Sequence, residues 1–314
     1  MFENIFSSNH KPLFLAPMAE ITHYPFRKLL EEIGGVDVFY TEMLSANLLA
    51  SSNINKSVFL KGIEYKREKP LIFQLLGKDV DVLKKAAKVS LSLGADGIDL
   101  NLGCSAPFVY KKGMGSGLLL DRKKLKFILS ELRNVIDKSF SVKMRIGLKE
   151  NLEDFLKLIV DIKECGVDFI VVHPRLIKEK FKRKARWNYI AYAKSIGGVK
   201  IVGNGDICDF YEGIKRRDEE FVDGIMIGRC AVSNPWIFKE IKEGGEVKKD
   251  FKWTFLRFME LVREYLPEKY QLSRIKIFSK WFTKNIEFGH FLWKEINKSD
   301  NLSEIERKIL DFFE

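Results

Sequence analysis

The 314 residues, 46% of them hydrophobic, suffice for one large core plus a small accessory unit, since single cores stop growing at roughly 250–300 residues. The balance of 54 Lys+Arg against 43 Asp+Glu, net +11, suits either a polyanionic partner or a solvated Lys-rich surface, and only the placement of the charges separates the two. The opening MFENIFSSNHKP lacks the basic-then-apolar order of a signal peptide and no apolar run approaches the ~20 residues of a membrane span, so a cytoplasmic protein without membrane segments is expected.

Short apolar, β-branched runs recur along the chain: LFLAPM (13–18), VDVFYTEM (36–43), PLIFQLLG (70–77), GIDLNLG (97–103), SVKMRIG (141–147), DFIVVHPR (168–175), KIVGNGD (200–206) and GIMIGR (224–229). Continuous apolar runs mark strands buried on both faces, and their alternation with amphipathic segments marks parallel βαβ units. Eight such units predict a TIM (β/α)8 barrel. The first crossover, THYPFRKLLEEIGG, predicts a helix capped by Thr22, with Phe26, Leu29, Leu30 and Ile33 on one face and Gly34–Gly35 as the stop.

Four scattered cysteines match neither a disulfide framework nor a CxxC metal pair, so reduced thiols and no metal site are expected. Cys165 and Cys208 read as packing or surface thiols, and Cys230 is open. Beyond about residue 251 only helical periodicity persists. The expected division is a catalytic barrel over 1–240 and a small C-terminal helical domain over 245–314, whose last helix opens on a capping-box spacing, Ser303 with Glu306, and buries Ile305, Ile309, Leu310 and Phe313.

Barrel enzymes work at the C-terminal strand ends, where polar residues interrupt the apolar runs: Met18, Glu42, Gln74, Asn101 with Cys104, Lys143 with Arg145, His173 with Arg175, Asn204 with Asp206, and Arg229. NGD after strand seven and GR after strand eight set glycine-exposed N–H groups and a guanidinium where barrels commonly hold phosphate, which implies a phosphorylated cofactor. Lys143 and His173 fall on one side of the mouth, suited to stabilising a developing anion; a Schiff-base lysine is the other chemistry open to Lys143. Gln74 is placed to read the donor–acceptor edge of a ring. The Cys104 thiol has two open roles, proton donor or base-activated nucleophile, with His173 as the candidate base. A Cys–His hydrolase would lack an acyl pocket and leave the phosphate site without purpose.

The motifs APMA (16–19), PFR (25–27), TEM (41–43), QLLG (74–77), DLNLGC (99–104), VKMRIG (142–147), HPR (173–175), NGDI (204–207), MIGR (226–229) and NPWIF (234–238), in this order, resemble the flavin-dependent tRNA-dihydrouridine synthases over nearly the whole chain. The resemblance implies FMN as cofactor, with Pro17, Met18 and Ala19 along the ring, Gln74 and Lys143 at its polar edge, His173 nearby, and Asn204, Gly205, Asp206, Gly228 and Arg229 around its phosphate. It implies reduction of the uracil C5–C6 bond in tRNA, hydride coming from the reduced flavin and the proton from Cys104, with NADPH or NADH as reductant. Asn101, Arg145 and Arg175 would meet the substrate in the barrel.

The resemblance also implies a helical domain that holds tRNA. From Lys239 onward there are 16 Lys+Arg and 14 Asp+Glu, so the barrel carries +9 of the net charge. Yet 269–284 holds five basic residues and no acid, and on a helix Lys276, Lys280 and Lys284 align while Ile275, Phe278 and Phe282 take another face; with Arg274 they form the expected RNA grip. A second basic run, 178–186, follows strand six. Three features depart from the family pattern: Ser105-Ala106-Pro107-Phe108 after the cysteine, Arg186-Trp187 after strand six, and a short helical stretch between Gly245 and Pro267. The competing readings are an FMN barrel oxidoreductase acting on a small pyrimidine or enone, and a tRNA-binding protein without catalysis. A monomer is expected.

Overall fold

The computed structural model of the chain describes residues 5–6, 11–51 and 70–314; most of the opening segment read above for a signal peptide lies outside them. All eight expected strands form: β1 (Leu13–Leu15), β2 (Phe39–Ser45), β3 (Leu71–Leu76), β4 (Gly97–Leu102), β5 (Ser139–Arg145), β6 (Phe169–His173), β7 (Lys200–Asn204) and β8 (Gly224–Ile227). They pair in parallel in the order β1-β8-β7-β6-β5-β4-β3-β2. A bridge between Phe14 and Val38 brings β1 to β2 and closes the barrel. The strands are buried along almost their whole length because side chains on one face fill the barrel and those on the other meet the helices. Phe14, Tyr40, Ile72, Phe169, Val171, Val202 and Met226 form the inner cluster.

Local chemistry sets the helix starts. Asp79, Asp121, Asn151, Asp209, Asp250 and Asn301 each accept a backbone N–H three residues on, a contact worth ~1 kcal/mol per cap. Two expected caps are different. The first barrel helix, Tyr24–Ile33, starts after His23, and Thr22 Oγ1 instead accepts from Met18 N at 2.9 Å and donates to Met18 O at 3.0 Å, closing the β1 loop on itself. The last helix, Leu302–Phe313, is capped by Asn301, so the Ser303–Glu306 spacing lies inside it. Its Ile305 and Ile309 are fully buried, whereas Leu310 and Phe313 are half-buried.

After Gly244, which ends the helix Ile237–Glu243 in the left-handed conformation, four helices follow: Phe251–Tyr265, Glu268–Phe282, Gly289–Lys298 and Leu302–Phe313. Their core is aromatic. Phe258 and Phe278 stack at 4.1 Å between centroids, and Phe278 and Phe282 at 4.8 Å. Phe26 of the first barrel helix enters the same cluster, 6.5 Å from Phe258 and 6.2 Å from Phe278, so the helical unit is seated on the barrel by packing. Truncating one such ring typically costs about 3–5 kcal/mol. Arg257 adds a two-pronged pair to Glu32, 2.8 Å on each arm. Among the described residues, no helix is long and apolar enough to cross a membrane.

Candidate active site

The strand ends and the loops after them line one cavity of about 630 Å³. Pro17, Met18, Ala19, Gln74, Asn101, Cys104, Lys143, Arg145, His173, Arg175, Asn204, Gly205, Asp206, Gly228 and Arg229 all line it; of the strand-end residues singled out in the sequence, Glu42 stays outside the lining and accepts the Glu20 backbone N–H instead.

Register brings the polar groups together. Asn101 lies beside Lys143 across β4 and β5, and Arg145 beside His173 across β5 and β6. Asn101 Oδ1 accepts the backbone N–H of Cys104 at 2.8 Å and of Gly103 at 3.1 Å, and its Nδ2 donates to Gln74 Oε1 at 2.7 Å. Gln74 Nε2 continues to Asp99 Oδ2 at 2.8 Å, and Ser141 Oγ donates to Asp99 Oδ1 at 2.7 Å. Both ends of the Gln74 amide are therefore engaged within the protein. Burial pushes the Asp99 carboxyl up to about 7, against the hydrogen bonds from Ser141 and Gln74 and the charge of Lys143.

The Cys104 loop is held from its other side as well. Ser116 donates to Cys104 O through Oγ at 2.8 Å and through its backbone N–H at 3.0 Å. Gly115 permits this approach: its φ is +57°, and a Cβ there would sit 2.8 Å from Cys104 O.

Lys143 Nζ donates to Asn204 Oδ1 at 2.9 Å, and Asn204 Nδ2 donates to Met226 O at 2.7 Å. Burial, then the neighbouring Arg145, holds the Lys143 ammonium down to about 8. That is the depressed basicity a Schiff-base lysine needs, and equally what a desolvated cation shows while it lacks an anion. Burial and the surrounding cations hold His173 well below its usual range, so its imidazole is neutral. Because a guanidinium only donates, Arg175 Nη1, 2.9 Å from His173 Nε2, fixes the histidine proton on Nδ1. Arg175 also pairs with Asp206, whose other oxygen accepts the Ala185 N–H at 2.7 Å. The Asp206 carboxylate is thereby engaged within the protein on both oxygens. Gly205, at φ +138°, keeps the Asp206 loop close: a Cβ would meet Ala185 at 2.9 Å.

Two cysteines correct the sequence reading. Cys208 and Cys230 form a disulfide, so the chain does not hold four reduced thiols, and thiol usage no longer argues for a reducing compartment. Their 22-residue separation hides the pairing; β7 and β8 lie side by side, which brings the loops after them into contact. The bond ties the Asn204–Asp206 loop to the Gly228–Arg229 turn. Cys104 and Cys165 are free, and Cys165 is buried with its thiol donating to Asp161 O, a packing role as expected.

The expected RNA grip divides. Arg274 is buried and ion-paired to Glu20 at 3.0 Å, and the Glu20 backbone N–H donates to Glu42, so Arg274 joins the helical unit to the β1 loop. Lys276 donates to Asn297 O at 3.0 Å, at the C-terminal end of the helix Gly289–Lys298. Lys280 and Lys284 are exposed; the α-helix ends at Phe282, so Lys284 lies on the following 3-10 turn and out of the expected line. None of the four lines the cavity. In the 178–186 run, Arg186 forks onto Glu179 at 2.8 and 2.6 Å.

Sequence reasoning missed Phe181 and Trp281, both in the cavity wall. Phe181 stacks 6.1 Å from His173 and lies 4.1 Å under the Arg229 guanidinium. An aromatic between basic residues was the available signal for each.

The cavity wall carries Lys143, Arg145, Arg175, Lys180 and Arg229 against one acid, Asp206. It is built for an anion, with a thiol beside it. The dihydrouridine synthase (Dus) profile matches residues 14–310. The chain belongs to the dihydrouridine synthase family. It is 29% identical to a probable tRNA-dihydrouridine synthase of Aquifex aeolicus over 95% of this chain and 94% of that protein. It is 30% identical to the tRNA-dihydrouridine(16) synthase of Aquipseudomonas alcaligenes over 93% of this chain and 97% of the relative. A tRNA-dihydrouridine(47) synthase-like protein of Xenopus tropicalis is 34% identical over 74% of this chain, which spans only 36% of that longer protein. The barrel itself resembles 2-naphthoyl-CoA reductase, TM-score 0.60 at 12% identity over 78% of this chain and 53% of the other, and morphinone reductase, TM-score 0.56 at 10% identity over 76% and 87%. At such identities the likeness shows the fold of the family and no more.

Proposed function

We propose that this member of the family reduces the C5–C6 double bond of uridines in tRNA to 5,6-dihydrouridine, with FMN, recharged by NADPH or NADH, as the redox cofactor. One observation carries the reading: the Cys104 thiol shares a single cavity with an excess of buried and half-buried cations. Relatives named for this activity support it along almost the full chain.

Two features of the wall fit a flavin mononucleotide. A cavity of about 630 Å³ lies within the ~300–1,000 Å³ of cofactor sites. Its cations exceed its acids, as a phosphate requires, and the Pro17–Ala19 segment supplies an apolar face for a flat ring. When bound, the flavin supplies a hydride for C6 of the uracil. Pro17, Met18 and Ala19 would pack against the ring, and Lys143, with two N–H groups beyond its bond to Asn204, would balance negative charge at its polar edge, near Gln74. Neutral His173 offers its Nδ1 proton nearby. Arg229, Gly228 and the Asn204–Asp206 backbone would hold the phosphate.

Cys104 then does the proton work. Its thiol gives H+ to C5 as C6 receives H−, so the base gains two hydrogens and the thiolate recovers its proton from solvent. Asn101 fixes the loop from which the thiol acts, and Arg145 and Arg175 orient the base. Exposed Lys280 and Lys284 are left to meet tRNA phosphates, while Arg274 and Lys276 serve the helical unit's own structure. We place the reaction in the cytoplasm, with the chain acting as a monomer.

The test is reduction of unmodified tRNA transcript by purified protein with FMN and NADPH, read as dihydrouridine in nuclease digests. The expected result is product at one or a few positions. Bound flavin and NADPH oxidation with no dihydrouridine would refute the substrate.

A further inference from the structure

Among the described residues, Trp281 is the only residue of the helical unit that lines the barrel cavity. It sits in the last turn of the helix Glu268–Phe282, and its backbone is held firmly. Next in sequence, Phe282 is fully buried among Trp236, Phe251, Phe255 and Phe278, at centroid distances of 4.8 to 6.1 Å. Just beyond, Asn285 Nδ2 donates to Ser233 O at 3.1 Å, pinning the following turn to the segment that carries Arg229. Trp281 itself is only half-buried, so a flat apolar ring is fixed in a cavity wall and left partly open. Lys284 Nζ lies 4.1 Å from its ring centroid.

An indole needed only for packing would be enclosed, as Trp236 is at 5% exposure. With the Lys284 ammonium over one face of the ring, the opposite face is the one a base would stack on, and a ring with a cation against it is the pairing used to hold single-stranded nucleic acid: the ring stacks a base and the cation meets its phosphate. A base drawn out of folded RNA needs a replacement for the stacking it loses. We propose that Trp281 is a specificity residue that stacks a base of the RNA strand delivering the uridine, with Lys284 on that strand's phosphate, so that the helical unit takes part in selecting substrate at the cavity itself.

The proposal rests on the function given above, and the experiment separates the two. Holoenzymes carrying Trp281→Ala, Trp281→Leu, Trp281→Phe and Lys284→Gln are assayed for flavin content, flavin absorption, NADPH-driven flavin reduction and steady-state turnover on tRNA transcript. Expected are wild-type flavin content, absorption and flavin reduction in all four. Loss of a stacked base raises KM for tRNA by roughly 5- to 150-fold in both Trp281→Ala and Trp281→Leu, with kcat within about 2-fold, while Trp281→Phe stays near wild type. Lys284→Gln lowers the slope of log KM against log salt by about 1. Lost flavin or a shifted flavin spectrum in Trp281→Ala would assign the ring to the cofactor and overturn the proposal. So would an unchanged KM, a fall in kcat alone, or a Trp281→Leu variant that behaves like Trp281→Phe. If wild-type protein reduces its flavin yet forms no dihydrouridine, the underlying function fails instead.

Discussion

Asn101 and Gln74 are joined side chain to side chain, Asn101 Nδ2 donating to Gln74 Oε1 at 2.7 Å, and through that bond the Cys104 loop is anchored to the buried Asp99. Asn101 Oδ1 is the acceptor for the Cys104 and Gly103 N–H groups, so Asn101→Ala frees both and lets the thiol drift. A misplacement of about 1 Å at a reacting group can lower rate by ~100-fold. Asn101→Ala is expected to cut kcat for dihydrouridine formation by that order while flavin binding and reduction by NADPH stay normal. Stopped-flow measurement of the two half-reactions checks the split.

Cys104→Ala removes the proton donor and leaves the cation-rich wall intact. Flavin content and NADPH oxidation in the absence of RNA should match wild type, and reduction of uridine should fall by about 100- to 10,000-fold, the usual range for a positioned general acid. Mass spectrometry of digested tRNA reads the loss. Near-normal product would remove Cys104 from its role.

The barrel was legible because eight runs of buried β-branched and aromatic residues cannot be spaced by amphipathic helices without forming parallel βαβ units, and the strand-end residues converge once it closes. What escaped depended on contacts across the chain. Thr22 has the chemistry of a cap, yet Met18 lies within its reach and takes it. Cys208 and Cys230 are distant in sequence and meet only because β7 and β8 are neighbours. The lysine stripe assumed a helix running to Lys284; the α-helix stops at Phe282, and Lys276 finds a helix C-terminal carbonyl that no local pattern announces. Arg274 pairs with Glu20, 254 residues earlier, a partner beyond the reach of any local pattern.

Asp99 makes stability depend on pH. Its folded pKa is raised to about 7, mainly by burial, so the folded state holds a proton that the unfolded chain releases near 3.8. Stability from this group is present at low pH and declines as pH rises from about 4 to about 7. Asp99→Asn removes the ionisation while keeping an amide that can accept from Gln74. The Tm of the variant minus that of wild type should therefore grow between pH 5 and pH 7.5 and level off above. A difference that does not change with pH would remove the raised carboxyl.

The Cys208–Cys230 bond predicts a thiol count. Unfolded without reductant, the protein should react with two equivalents of a thiol reagent, at Cys104 and Cys165, and with four after reduction. By chain entropy, a closed loop of this length stabilises by about 3 kcal/mol, so Cys208→Ser should lower Tm by several degrees in the absence of reductant and by little in its presence.

Lys143 sets the pH range over which the cavity holds an anion. Its ammonium is held down to about 8 by burial and by Arg145, with Asp99 pulling the other way. In the flavin-free protein it is charged at pH 7 and largely neutral by pH 9, and a charge-assisted hydrogen bond is worth about 1.5–3 kcal/mol. FMN affinity, followed by quenching of flavin fluorescence, should therefore weaken by roughly 5- to 10-fold between pH 7 and pH 9, the limit set by the fall in the charged fraction of a group titrating at about 8. Lys143→Met should bind at pH 7 no more tightly than wild type does at pH 9 and show no such decline, because the titrating charge is gone. Lys143→Arg, charged throughout this range, should hold its affinity across it. If Lys143→Met keeps the wild-type decline, the titrating group lies elsewhere in the wall and the assignment of Lys143 to the cofactor's charged edge is wrong.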